Sequence, residues 1–388
     1  MREFARLLFV GDISLGGDYA DRYGQGSPTW TDPFIGVHPV FQDADLRIGN
    51  LENPLYRSPA PRRKKNLLGA PPESAAALSY LGFTALNLGN NHITDQGAEG
   101  LSKTRETLES RGIAPFGAGK DLETARKPAF AQANNLSFAF LGYAVQDQDV
   151  MAEVAMDSRE GCVPLSLDRI EHDIAAARRA ATYVVVSLHW GYQYDRYPDP
   201  GQIATAHKII DLGALIVYGH HPHVPQGMER YKNGLILYSL GNFFFPDFVR
   251  TDGVKFQFPR ESRRTVAVLC DVGTSGVQSF STIPFTVDRD NQMHVLQGRA
   301  AVRATRSMVS LSKALDAPDY ALSWRSHHSR TERGRRRQEE GLRIRGETAS
   351  VWHRARTQGV AGSLKSLKGR HVMEMFRLVR SYARRLYP

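Results

Sequence analysis

The chain of 388 residues is 41% hydrophobic and 23% charged, a balance that fits a soluble globular protein with one large α/β domain or two ordinary ones. No run approaches the roughly 18–20 apolar residues of a membrane-spanning helix, and Cys162 and Cys270 are too isolated for a zinc ribbon or a disulfide framework. The net charge of +10 is lopsided: residues 303–388 hold 20 Lys and Arg against 7 Asp and Glu, whereas residues 1–302 hold 30 against 33.

In chain order, "MREFARLLFVGD" reads as a first strand entered almost at once, without the apolar region and small-residue cleavage site of a secretory signal. A cytoplasmic location is the expectation. "DLRIGNLE" reads as a second strand, "PPESAAALSYLGF" as a helix opened by prolines, and "TALNLGNNH" as a third strand. "QGAEGLSKTRETLESRG" has helical spacing and stops at Gly112; "LSFAFLGY" is again a strand. Ser166 is placed to cap the helix "LDRIEHDIAAARRAA", which feeds the strand "TYVVVSLHWG". Then "PGQIATAHKIIDLG" reads as helix, and "ALIVYGHH" and "NGLILYSLGNFFF" as strands.

This alternation, with continuous Val, Ile and Leu runs, predicts an α/β fold whose sheets are buried on both faces. From about residue 300 the pattern dissolves. "SHHSRTERGRRRQEEGLRIRG" reads as linker or solvated coil, and "HVMEMFRLVRSYARRLY" as a closing amphipathic segment rich in arginine. We therefore expect one domain over residues 1–300 and a basic, partly helical extension over 301–388. The extension suits an acidic polymer or the anionic inner face of a membrane. Nothing resembles a nucleic-acid reading module, so that partner ranks last.

Almost every predicted strand ends in a polar cluster: Asp12, then Asn50 and Glu52, then Asn90, Asn91 and His92, then His189, then His220, His221 and His223. Ligands of open α/β sheets bind outside the carboxyl ends of the strands, so five separated clusters are expected to meet on one rim. Carboxylates with imidazoles suit Mn, Fe or Zn better than Mg, in a site of one or two divalent ions. A two-ion site serves displacement at phosphorus. In "GHHPHVPQG", His221 and His223 would share a face of extended chain, with His220 pointing elsewhere.

"GDISLGG", "GNLENPL", "LGNNHITDQG", "LHWGYQY", "GHHPHVPQGMERY" and "LYSLGNFFF", in this order, span residues 5–246. Together they resemble the capsule-synthesis CapA family, which includes poly-γ-glutamate synthesis accessory proteins and belongs to the calcineurin-like metallophosphoesterase superfamily. The resemblance implies a metallophosphoesterase-like layered sheet sandwich flanked by helices. It implies Asp12 as a metal ligand, Glu52 (with Asn50 nearby) as the bridging or second carboxylate, Asn91 as a second-metal ligand, and His189, His221 and His223 as further ligands. His92 resembles the acid that protonates the leaving oxygen, with Asp95 orienting it. Asn90, Gln193, His220 and Asn242 would stand just behind these ligands.

Two positions depart from the pattern: Ser14 stands where the superfamily usually has a ligating His, and Gln193 where related sequences often have Glu. The implied activity is metal-dependent hydrolysis of a phosphate-containing or acidic-polymer substrate in capsule or exopolymer synthesis. The alternative is a catalytically idle binding subunit that supports a polymer synthase or exporter, touching it or the membrane through the basic tail.

Overall fold

A computed structural model describes residues 3–23, 29–59, 66–147 and 150–358, with side chains to residue 342. Two sheets lie face to face. The first has eight strands, in the order Met293–Val295, Gly276–Val287, Arg264–Gly273, Ala5–Ile13, Leu46–Leu51, Ala85–Asn87 and Ala114–Phe116, with Asn242–Phe244 added beside the end of Ala5–Ile13. The second has six: Met228–Tyr231, Gly234–Leu237, Ile216–His220, Tyr183–His189, Leu136–Ala144 and Ala129–Ala133. In both, the central strands that follow the helices run parallel, as strand–helix–strand crossovers require.

Side-chain alternation sorts the core into layers. Along Ala5–Ile13, Leu7 and Phe9 face the second sheet and meet Phe138, Phe140, Ile216 and Tyr218. Leu8 and Val10 point the other way, toward Tyr19, Phe41, Leu78 and Leu101. The outer face of the second sheet, Val184, Val186 and Val217, is covered by Ile170 and Ile174 of the Leu167–Ala177 helix and by Ile209 and Ile210 of Pro200–Asp211. The result is the expected sheet sandwich flanked by helices. A capping box, in which Asp199 accepts from Gln202 N–H and Gln202 Oε1 from Asp199 N–H, starts the Pro200–Asp211 helix. Ser166 occupies the cap position of its helix without a side-chain bond.

Three features differ from the sequence reading. "NGLILYSLGNFFF" is two strands in different sheets: Gly234–Leu237 pairs with Ile216–His220, and Asn242–Phe244 pairs with Ala5–Ile13. The chain crosses at Gly241, whose φ of 76° suits glycine. Three antiparallel strands between Arg264 and Val295 extend the first sheet where no strand was expected. Finally, "SHHSRTERGRRRQEEGLRIRG" is helical, part of Tyr320–Gln358. Arg, Glu and Gln are good helix formers, and Arg336 and Arg335 reach Glu332 at 2.8 and 2.9 Å one turn back. The helix docks: Tyr320 Oη donates to Pro198 O at 2.5 Å, and His328 Nδ1 lies 2.9 Å from buried Asp195. The closing amphipathic segment lies outside the described residues. Among the described residues no helix is long and apolar enough to cross a membrane.

Gly11 is where the fold seats its first polar strand end. A Cβ there would lie 1.7 Å from Gly241 O, the same carbonyl that accepts from Asp12 N at 2.9 Å. Backbone cannot step aside as a flexible side chain can. Gly11→Ala is expected to cost about 3 kcal/mol, the upper end for overpacking, read as a lowered urea midpoint. An unchanged midpoint would mean that the two segments are not so closely held.

Candidate metal centre

Strand register brings the polar ends together. Asp12 stands opposite Asn50 on one side and Asn242 on the other, and Asn50 opposite Asn87. In the second sheet His189 stands opposite His220. All are buried. The carboxyl ends of both sheets thus share one interior rim.

Hydrogen bonds fix the first shelf of this rim. Asn50 Nδ2 donates to Asp12 Oδ1 at 2.9 Å, while Asn50 Oδ1 accepts from Asn87 at 2.9 Å and Asn90 at 3.2 Å. Asn90 Oδ1 in turn accepts from the backbone N–H of His92 and Ile93, which sets the turn carrying Asn91 and His92. Asn91 Oδ1 lies 3.0 Å from His189 Nε2. Asn87 was not picked out from sequence. Its signal is its place at a strand end, three residues before Asn90.

The histidine cluster is a turn, not extended chain. His221 and His223 have φ of 96° and 58°, a left-handed geometry costly for non-glycine residues. The shared-face explanation for the pair is therefore replaced by a strained turn that still puts the two rings 5.7 Å apart. His220 does not leave the site: its Nε2 lies 2.8 Å from Ser187 Oγ and its Nδ1 3.5 Å from Asp12 Oδ1. His223 Nδ1 is 2.8 Å from Asn242 Oδ1, and its Nε2 3.7 Å from Glu52 Oε1. Asn242 therefore orients His223.

Two sets of donors result, Glu52 with His189 and His221, and Asp12 with Glu52 and His223. In each set the donor atoms all lie within 4.8 Å of one another, and Glu52 belongs to both. Electrostatics suits cation binding. Burial, reinforced by the neighbouring His221, pushes the pKa of His189 well below the ordinary imidazole value. Burial and His223 bring His221 down to about 3. Both rings are thus neutral and offer lone pairs, the form that ligates. Burial opposes ionisation of Asp12, but His220 and His223 outweigh it and hold the carboxyl well below its usual range. His223 is also desolvated, yet Glu52 and Asp12 raise it to about 9, so the two carboxylates favour a cation here, and a metal ion would take the place of the His223 proton. Both ring nitrogens of buried His221 make no hydrogen bond among the described residues. A buried orphan of that kind is costly, and its donor set fits a metal ion.

Beside the donors opens a cavity of about 270 Å³ bordered by His92, His223 and Gln193. His92 Nδ1 is 2.7 Å from Asp95 Oδ2, and that oxygen also accepts from Leu68 N–H at 2.8 Å. Asp95 is fully enclosed, which holds the Nδ1 side of the ring while His92 borders the cavity. Phe245 and Phe258 pack on His223 at 5.4 and 5.7 Å. Arg250, Arg335, Gln338 and Leu342 complete the wall. These last residues escaped the sequence reading, since nothing local marks which turn, or which face of the distant Tyr320–Gln358 helix, returns to the rim.

Residues 6–247 match the family model described as "Bacterial capsule synthesis protein PGA_cap". The chain is 34% identical over 294 residues to "Capsule biosynthesis protein CapA" of Bacillus anthracis, a match that covers 72% of this chain and 69% of that protein. It is 34% identical over 240 residues to "PGA biosynthesis protein CapA" of Bacillus subtilis (strain 168), covering 61% and 62%. Among solved structures, a hypothetical protein from Thermus thermophilus aligns with a TM-score of 0.45 at 16% identity, over 72% of this chain and 99% of that one.

Proposed function

Because the chain belongs to the bacterial capsule synthesis protein family, we propose that it is a metal-dependent phosphoester hydrolase acting in the synthesis of a capsule or poly-glutamate-like exopolymer. The observation that carries this reading is the pair of donor sets joined by Glu52. Asp12, Glu52, Asn91, His189, His221 and His223 would hold one or two divalent ions, with Mn, Fe or Zn suited to the mixed oxygen and nitrogen donors. Bound ions would supply Lewis acidity at a phosphoryl oxygen and offset the charge that builds there.

The remaining chemistry belongs to the chain. His92 borders the cavity while Asp95 holds its Nδ1, so a proton on Nε2 would serve the leaving oxygen. Asp95 balances the charge of the protonated ring. Asn50, Asn90 and Asn242 keep Asp12, the Asn91 turn and His223 in position. Enclosure of the donors excludes bulk water and strengthens each of these interactions.

A binding subunit without turnover is the second reading, favoured by Gln193, an amide on the cavity wall that cannot act as a base. One assay separates the two. Metal-stripped protein, reloaded with Mn²⁺, is expected to hydrolyse simple phosphomonoesters or phosphodiesters and to lose that activity in chelator. Stoichiometric metal uptake with no turnover across such a panel would favour the binding subunit.

A further inference from the structure

The donor residues all lie within the family-matched stretch 6–247, but part of the cavity wall does not. Arg250, Phe256 and Phe258 follow that stretch, and Arg335, Glu339 and Leu342 come from the Tyr320–Gln358 helix. Arg250 is the unusual member. Its side chain is only 3% exposed; one Nη engages Asp252, while Nε is buried with no hydrogen-bond partner among the described residues. A guanidinium enclosed with an unused donor is expensive. Its backbone is held in a tight turn, with Arg250 N–H donating to Val254 O at 2.9 Å and Gly253 N–H to Arg250 O at 2.9 Å. The side chain is thus built in, and it lines a cavity.

Among the described residues, the charges bordering that cavity are Arg250, Arg335, Glu339 and the two histidines His92 and His223. Arg335 is partly occupied by Glu332 at 2.9 Å and faces Glu339 at 3.5 Å. The same wall carries an aromatic surface that packs on His223: Phe245 and Phe258 are 4.8 Å apart, Phe256 and Phe258 5.1 Å, and Phe248 and Phe256 5.1 Å. A ligand filling this space would meet the donor site at one point, apolar rings along its length, and the guanidinium groups of Arg250 and Arg335 in the wall.

We propose that Arg250, with Arg335 from the long helix, holds a second oxyanion of the substrate, a carboxylate or a phosphate, separated from the reacting ester by an apolar stretch that packs on the phenylalanines. This rests on the phosphoester reading above and deepens it. Arginine forks suit carboxylate and phosphate alike, so the shared chemistry is the oxyanion. Substrate choice would then be written by parts of the chain outside the family-matched stretch.

The test uses the full chain loaded with Mn²⁺ and three nitrophenyl phosphodiesters whose second arm ends in a carboxylate, a phosphonate or a neutral amide. Wild-type protein is expected to show a KM about tenfold lower for at least one anionic arm than for the amide, the worth of one charge-assisted bond. Which anionic arm is favoured distinguishes the two sources of the oxyanion. Arg250→Gln is expected to bring the KM values together, and Arg335→Gln to narrow them about threefold. Calorimetric titration of the same compounds reads the preference without turnover, so a protein that hydrolyses none of them would overturn the phosphoester reading while this one is still measured. Equal affinity of wild type for all three arms would overturn the proposal, as would an undiminished preference in Arg250→Gln. Were Arg250→Gln to unfold by circular dichroism, the wild-type preference and its narrowing in Arg335→Gln decide.

Discussion

His92→Ala is expected to lower hydrolysis of alkyl phosphoesters by a factor of about 10² to 10⁴, the range for loss of a positioned acid, while bound metal stays at the wild-type level. The two halves of the result come from separate parts of the geometry. His92 belongs to neither donor set, yet it borders the same cavity, with Asp95 2.7 Å from Nδ1. Its contribution scales with the need of the leaving oxygen for a proton. Nitrophenyl esters, whose leaving group departs as a stable anion, should be far less affected than alkyl esters. Asp95→Asn should fall between, because it keeps the ring in place but removes the carboxylate charge. An equal loss on both ester classes, or loss of metal in His92→Ala, would contradict the assignment.

Glu52→Ala is expected to have the widest effect on metal binding. Glu52 is common to both donor sets, whereas His221 belongs to one and Asp12 to the other. Removing the shared carboxylate should abolish stoichiometric metal uptake, while His221→Ala should spare the Asp12 set. Stability offers a second readout. An ion that binds only the folded chain adds about 2.7 kcal/mol at a free concentration 100 times its Kd. Wild-type protein should therefore gain melting temperature with Mn²⁺, and Glu52→Ala should gain none. A wild-type increment in the variant would remove Glu52 from the site.

Much of this arrangement is legible in sequence, for a physical reason. Strands buried on both faces are continuous apolar runs, so a polar residue such as Asp12, Asn50 or His189 marks the point where a strand emerges. Parallel strands emerge on the same side, which is why those residues are neighbours in register. The fold departs from the reading where long-range packing overrides local pattern. "NGLILYSLGNFFF" looks like one strand because its apolar run is broken only by Ser239, Gly241 and Asn242, yet Gly241 lets the chain pass between sheets. The arginine-rich stretch after residue 325 looks solvated because its polar groups are spread around the helix. The helix nevertheless docks through Tyr320, His327 and His328 on the segment around Asp195. His221 and His223 adopt left-handed φ without glycine, a strain that no residue preference announces. Arg250 and Arg335 reach the cavity for reasons visible only in three dimensions.

The most direct test of a shared metal centre is an anomalous difference map from crystals soaked in Mn²⁺. The geometry predicts density beside Glu52 in contact with His189 and His221, in contact with Asp12 and His223, or at both positions. Ions bound only elsewhere on the molecule, or none in crystals of active protein, would contradict it.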